Sequence, residues 1–132
     1  MRKYGFAESF AQFGAELRNV QWAVSAEGKD GDLVISLWWH YFSPPKDGTN
    51  RYTDTLSRFA GPGNNLLRQH ITQAYESGQR IRAVVVRTDE TNLVDSGTDA
   101  SKIKKSFSPK KNWEGRVVEF NGDRYIIEFS ES

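Results

Sequence analysis

The chain has 132 residues, a formal net charge of +1, 27% charged residues, and an aromatic content of 4 Trp, 5 Tyr and 8 Phe. This aromatic content excludes a disordered chain, and no apolar run reaches the roughly 20 residues of a membrane span. The near-neutral net charge argues against a protein that coats nucleic acid by bulk charge. Because the chain has no cysteine, it has no disulfide framework, thiol catalysis or cysteine-bound zinc, and we expect one cytoplasmic domain over residues 1–132.

The first predicted elements are a helix and a β-hairpin. Residues 27–31 contain two glycines and form a turn by composition, so residues 22–42 predict a hairpin whose longer second arm covers residues 32–42. The helix is predicted by apolar residues that recur in steps of three and four, which places them on one face: Phe6, Phe10, Phe13 and Leu17.

The middle of the chain predicts a second helix followed by a buried strand. Residues 43–50 are typical of a loop, and residues 51–59 of a short strand or a helical turn. Asn64 or Asn65 would cap the helix and Gly78 would end it. Residues 81–88 then predict a central strand, because their apolar centre shows no alternation and so indicates burial on both faces; residues 88–101 follow as an irregular loop.

The C-terminal segment predicts a second β-hairpin. Strand-like residues 116–120 and 124–129 flank Asn121-Gly122, a strong turn signal. A two-residue turn at this position would pair Val118 with Tyr125 and direct both side chains to the core. The elements together predict an α+β domain, with a mostly antiparallel sheet of about five strands and two helices packed on one side of it.

A lysine-rich stretch, residues 100–113, is the first indication of function. It contains no acidic residue and ends in Trp113. Lysines neutralise phosphates and aromatic side chains stack on exposed bases, so the stretch favours contact with single-stranded or distorted nucleic acid. A solvated loop whose lysines offset the preceding acidic residues is an equal alternative. The candidate phosphate-binding lysines are Lys102, Lys104, Lys105, Lys110 and Lys111.

Arginine enrichment between residues 51 and 87 is the second indication. This segment has six arginines and no lysine, and its only acids are Asp54 and Glu76. The planar guanidinium suits bidentate contact with phosphate or guanine, although ordinary surface ion pairs explain the pattern equally well. We assign five of these residues to the candidate interface: Arg51, Arg58, Arg68, Arg80 and Arg82.

The aromatic end of the strand predicted at residues 32–42 forms a candidate pocket. With a period of two, Trp38, His40 and Phe42 lie on the face opposite the apolar core residues. These rings would line a cleft beneath the loop at residues 43–50 and hold a flipped base or another flat ligand. Packing of the same rings into the core is the alternative.

Catalytic and metal sites are poorly supported. The only histidines, His40 and His70, show no metal-ligand spacing, and Glu27-Gly28-Lys29 resembles a nuclease element only as a short pattern in a predicted turn. We therefore expect no cofactor, metal or catalytic residue.

The sequence is compatible with three functions. The leading hypothesis is a non-enzymatic nucleic-acid-binding domain, in which the basic residues hold phosphate and the aromatic residues contact bases. The alternatives are a small protein-protein interaction or inhibitor protein that docks through the same surface, and a small-molecule or nucleotide-binding pocket protein. The sequence indicates no membrane partner, and it does not predict the oligomeric state.

Overall fold

A computed structural model describes residues 4–19, 23–58, 60–98 and 102–131. No helix in these ranges is long and apolar enough to cross a membrane. Two short 3-10 turns, Trp39–Tyr41 and Leu56–Arg58, follow the second and third strands. In chain order the other elements are α1 (Phe6–Ala11), β1 (Ser25–Glu27), β2 (Leu33–Trp38), β3 (Thr49–Thr55), α2 (Pro62–Ser77), β4 (Ile81–Arg87), α3 (Thr91–Asp95), β5 (Ser106–Pro109), β6 (Trp113–Phe120) and β7 (Arg124–Glu131).

The strands form one sheet in the spatial order β1-β2-β4-β6-β7-β3. β4 pairs with β2 along one edge, and with β6 at Ile81 and β5 along residues 84–87. Neighbouring strands are antiparallel except for β2 and β4, which run parallel. The α+β class and the mostly antiparallel sheet are confirmed, and the sheet has seven strands in the described part rather than about five.

The helices α1 and α2 cover opposite faces of the sheet, so the prediction of helices on one side was wrong. Successive side chains of a strand point to opposite faces. Val85 of β4 packs in one apolar cluster with Ile71 of α2, whereas Val84 packs in a second cluster with Phe10 of α1. Burial of β4 on both faces was predicted correctly, and this burial requires cover from both sides.

The second strand ends earlier than predicted. β2 stops at Trp38, and the chain then enters the 3-10 turn Trp39–Tyr41, while Phe42 forms only an isolated bridge to Tyr52. The β1 strand pairs with β2 only as far as Ile35, so the aromatic end of β2 has a strand neighbour on one side only. Period-two alternation therefore does not apply to the residues after Trp38.

The C-terminal hairpin is present, but its turn lies one residue later than predicted. Phe120 pairs with Tyr125, and the side-chain oxygen of Asn121 accepts hydrogen bonds from the backbone of Asp123 and Arg124 at 3.0 and 2.8 Å. These side-chain bonds centre the turn on Gly122-Asp123.

A bulge between Val117 and Glu119 then shifts the register of β6 against β7. As a result, the core position is occupied by Val117, while Val118 is 40% exposed. The prediction that Val118 faces the core was therefore wrong.

The remaining element predictions differ mainly at their ends. α1 stops at Ala11, and α2 begins at Pro62 and ends before Gly78, whose backbone is left-handed with a φ of 69°. Residues 51–59 contain both predicted alternatives, because β3 is followed by a helical turn. The loop predicted at residues 88–101 contains α3. Residues 22, 59 and 99–101 of the predicted elements lie outside the described part of the chain.

We expect Gly115→Ala to destabilise the fold. A Cβ atom at Gly115 would lie 2.5 Å from the ring of Phe129 and 3.0 Å from the carbonyl oxygen of Glu128, so the free energy of unfolding should fall by about 1–3 kcal/mol through overpacking. Chemical denaturation measures this change. In a double-mutant cycle, Phe129→Leu should offset part of the loss by about 0.5 kcal/mol or more; strictly additive effects would contradict the proposed steric clash.

Candidate nucleic-acid interface

The candidate interface lies where the parallel strands β2 and β4 end. The last residues paired between these strands are Trp38 and Val86, so the next residues along the chain, Trp39 and Arg87, lie side by side. Trp39 is 38% exposed, and the side chain of Arg87 is exposed as well. Parallel pairing thus brings an aromatic and a cationic side chain, 48 positions apart in the sequence, to one surface.

A series of planar groups connects this surface to the core. The guanidinium carbon of Arg87 lies over the Trp39 ring, 4.3 Å from its centroid. Trp39 contacts Phe42 with a centroid separation of 5.7 Å, and Phe42 packs against Tyr52 and Phe129 at 5.0 and 6.2 Å. The indole is therefore supported from below, which limits its movement.

Part of the lysine-rich stretch adjoins Arg87. Ser106 of β5 pairs with Arg87, and the hydroxyl of Thr88 donates a hydrogen bond to the carbonyl oxygen of Lys104 at 2.7 Å. The side chains of Lys102 and Lys104 are exposed. Lys105 is half-buried, and its ammonium donates to the carbonyl oxygen of Ile103 at 3.3 Å. The exposed Lys104 therefore has its backbone next to the end of β4, and the exposed Lys102 precedes it by two positions.

The other predicted lysines lie at the opposite end of the sheet. The backbone N–H of Lys110 donates to the carbonyl oxygen of Ala83 at 2.9 Å, and the carbonyl oxygen of Lys111 accepts from Arg82 at 2.5 Å. The four residues of β5 separate these lysines from Lys104 and Lys105. Lys105 and Lys110 are therefore five positions apart, or about 16 Å at the usual rise of a strand. The predicted single basic loop is therefore two separate segments.

The five predicted arginines are held by other parts of the protein and do not converge on one surface. Each guanidinium donates to a carboxylate or a backbone carbonyl. The pairs are Arg51 with Glu128, Arg58 with Asp54, Arg68 with the carbonyl of Gly122, Arg80 with Asp32 and Glu114, and Arg82 with the carbonyl of Lys111.

Arg58 belongs to a buried ion pair. Its Nε and Nη2 donate to the two carboxylate oxygens of Asp54 at 2.9 and 2.8 Å, and the side chains of Arg58 and Asp54 are 14% and 3% exposed. The hydroxyl of Tyr52 also donates to Asp54, at 2.8 Å. Burial lowers the pKa of Arg58, but the hydrogen bonds to Asp54 outweigh this effect and raise it above its ordinary value.

Asp95 joins α3 to the 3-10 turn that carries Trp39. One of its oxygens accepts from the Tyr41 hydroxyl at 2.6 Å and lies 3.0 Å from Nε2 of His40. The hydrogen bonds from Tyr41 and His40 hold the pKa of Asp95 below its usual value. Arg58 lies 5.1 Å from the Tyr41 ring centroid, so the buried ion pair supports the same turn.

The predicted aromatic pocket is not assembled. Trp38 is half-buried, His40 is engaged with Asp95, and Phe42 packs against the core. A wide, open depression lies on the outer face of α2, not beneath the loop at residues 43–50, and is lined by Arg68, Gln69, Thr72, Gln73, Glu76 and Ser77.

Trp113 is a core residue and not an exposed aromatic of a basic loop. It begins β6, is 7% exposed, and its indole N–H donates to a carboxylate oxygen of Glu131 at 2.9 Å. Its ring also packs against Phe129 at a centroid distance of 5.7 Å. This position leaves Trp39 as the exposed tryptophan in the described part of the chain.

Trp39 and Arg87 were not among the predicted site residues. In the sequence, Arg87 directly follows the apolar run at residues 83–86, whereas Trp39 lies within the strand predicted at residues 32–42. Their proximity depends on the parallel pairing of two strands that are not consecutive in the chain. A prediction of that pairing would have found them, since the carboxyl ends of parallel strands share one edge of a sheet.

Among the described residues, Ser25 and His70 form a serine–histidine contact, with 2.8 Å between Oγ of Ser25 and Nδ1 of His70. Ser25 is fully buried, so a substrate has no direct access to its hydroxyl. The contact satisfies the hydrogen bonding of a buried group. Burial also lowers the pKa of His70 from its ordinary value of 6.5.

Neither the described side chains nor known proteins point to a bound group. In the described ranges, no cluster of three or more His, Asp or Glu residues could hold a metal ion. No family model, curated protein or solved structure matches this chain.

We expect Arg58→Ala to cost far more stability than Arg51→Ala. Removing Arg58 leaves the Asp54 carboxylate buried and poorly paired, which should lower the free energy of unfolding by about 3–5 kcal/mol. The exposed pair of Arg51 with Glu128 should contribute under about 1 kcal/mol. Urea denaturation of both variants measures the difference, and equal losses would refute the structural role given to the buried pair.

We expect the stability of the protein to fall as the pH drops below about 6.5. The folded-state pKa of His70 is lowered, so the unfolded chain takes up a proton first, and the loss continues until the pH reaches the folded-state pKa. Denaturation across this range, with His70→Gln as the control, measures the effect. An identical pH dependence in the control would show that His70 does not cause it.

Proposed function

We propose that this chain is a non-enzymatic nucleic-acid-binding domain whose interface lies at the carboxyl ends of β2 and β4. The observation that carries the proposal is the position of Arg87. Its guanidinium lies over the exposed Trp39 ring and forms no hydrogen bond or ion pair with the described part of the chain. Arginine is the side chain best suited to combine stacking with recognition of phosphate or base edges.

Lys102 and Lys104 supply the phosphate contacts in this proposal. Both side chains are exposed, and the backbone of Lys104 lies next to the end of β4. Exposed lysines can follow a flexible phosphate backbone. Asp89 follows Arg87 by two positions and is also exposed. The basic surface is consequently small, and we infer that it contacts few phosphates.

Docking on a protein partner is the second candidate function. Tryptophan and arginine dominate the energetics of protein interfaces, and the Trp39–Arg87 pair combines both on one exposed surface. The two candidates differ in their salt dependence, because release of counterions from phosphates gives nucleic-acid binding a steep dependence on ionic strength.

We expect the double variant Lys102→Glu/Lys104→Glu to weaken binding to a labelled oligonucleotide about tenfold or more at low salt. The matched control is Lys110→Glu/Lys111→Glu, which reverses the same charge at the opposite end of the sheet and should change the affinity much less. Fluorescence anisotropy at several salt concentrations measures both the affinity and the salt slope.

Removal of one lysine–phosphate interaction with a single strand should reduce the salt slope by roughly 0.7. Undetectable binding at low salt, or binding that does not weaken as salt is added, would rule out the nucleic-acid function and leave the protein-docking alternative. Equal losses in both double variants would place the interface elsewhere.

A further inference from the structure

The Trp39–Arg87 pair has the geometry of a stacking surface. The guanidinium of Arg87 lies 4.3 Å from the Trp39 ring centroid, and Trp39 is supported in turn by Phe42 at 5.7 Å. A guanidinium is planar, and its weak hydration allows a second flat group to pack against it. Arg87 is the outermost of these planar groups, and its side chain is exposed. A flat ligand would therefore stack on the guanidinium of Arg87.

The elements around Arg87 are unsuited to reading a duplex. Sequence readout in the major groove uses an α-helix or a two-stranded ribbon that enters the groove. At this end of the sheet the structure has α3, of only five residues with Val94 buried, and a 3-10 turn of three residues. Neither projects far enough to enter a groove.

An unpaired base fits the same surface. Within a duplex, both faces of an internal base are covered by its neighbours, whereas a single strand or a splayed end exposes a face for stacking on an aromatic ring or an arginine plane. Lys104 is the lysine placed closest to such a strand, because its carbonyl oxygen accepts from Thr88, the residue after Arg87. Lys102 precedes it by two positions and is also exposed.

We infer that the interface binds single-stranded nucleic acid and stacks an unpaired base on the guanidinium of Arg87. This inference rests on the proposed nucleic-acid function and specifies its substrate class. Trp39 acts as a positioning residue that holds the guanidinium plane, and Lys102 and Lys104 contact phosphates. Stacking explains why this position holds an arginine. A lysine carries the same charge but has no planar group on which a base can stack.

The experiment compares two oligonucleotide probes of the same sequence. One is a single strand of about ten nucleotides. The other is a duplex in which a non-nucleotide linker joins the two strands at each end, so that no end is free to splay. The variants are Arg87→Lys, which keeps the charge, and Arg124→Lys, a matched control on the exposed start of β7. A third variant, Trp39→Leu, removes the support beneath Arg87.

We expect the native protein to bind the single strand more tightly than the closed duplex. Arg87→Lys should weaken single-strand binding about fivefold or more, within the range measured for loss of one stacked base, and should leave the salt slope unchanged because the charge is retained. Trp39→Leu should also weaken it, and Arg124→Lys should have no effect.

Two results would overturn the inference while the proposed function stands: equal or tighter binding of the closed duplex, or an unchanged single-strand affinity in Arg87→Lys. Failure of both probes to bind at low salt would overturn the proposed function itself. Thermal unfolding of each variant shows whether it is folded, and Arg87→Lys should unfold at nearly the native temperature because Arg87 is exposed.

Discussion

The parallel pairing of β2 with β4 is the contact on which the rest of the structure depends. It lies inside the sheet, between β1 and β6, with six residue pairs from Leu33–Ile81 to Trp38–Val86, and its side chains divide between the two apolar clusters. A parallel pair needs a crossover connection, which here contains β3 and α2. The same register places Trp39 beside Arg87. The pairing of β2 with β4 therefore determines both the core and the candidate interface.

The polar contacts near this edge fix the shape of the surface. Arg58 and Asp54 form a buried pair that satisfies both side chains, and such pairs rigidify the elements that they join. The exposed Asp95 ties α3 to Tyr41 and His40. The candidate interface therefore consists of a fixed turn carrying Trp39, with Arg87, Lys102 and Lys104 outside these polar contacts.

Local signals in the sequence predicted the elements better than their neighbours in space. Burial of β4 followed from its unalternating apolar run, and the end of α2 from Gly78, because each property depends on a few adjacent residues. The bulge at Val118 depends on how β6 pairs with β7 across the hairpin, and the early end of β2 on its pairing with β1 and β4. Neither can be read from a few adjacent residues. The same limit applies to the candidate site. The arginine enrichment was read correctly, but carboxylates or backbone carbonyls hold the five predicted arginines, and Arg87 is left without such a partner in the described part of the chain.

The most direct test of the account is an NMR titration of isotope-labelled protein with a short single-stranded oligonucleotide, which maps the contact surface residue by residue. We predict the largest shift changes at the indole N–H of Trp39, the guanidinium Nε of Arg87 and the amides of residues 102–105, with little change on the outer face of α2. Shift changes centred on α2 or on Lys110 and Lys111, with Trp39 and Arg87 unaffected, would contradict the account.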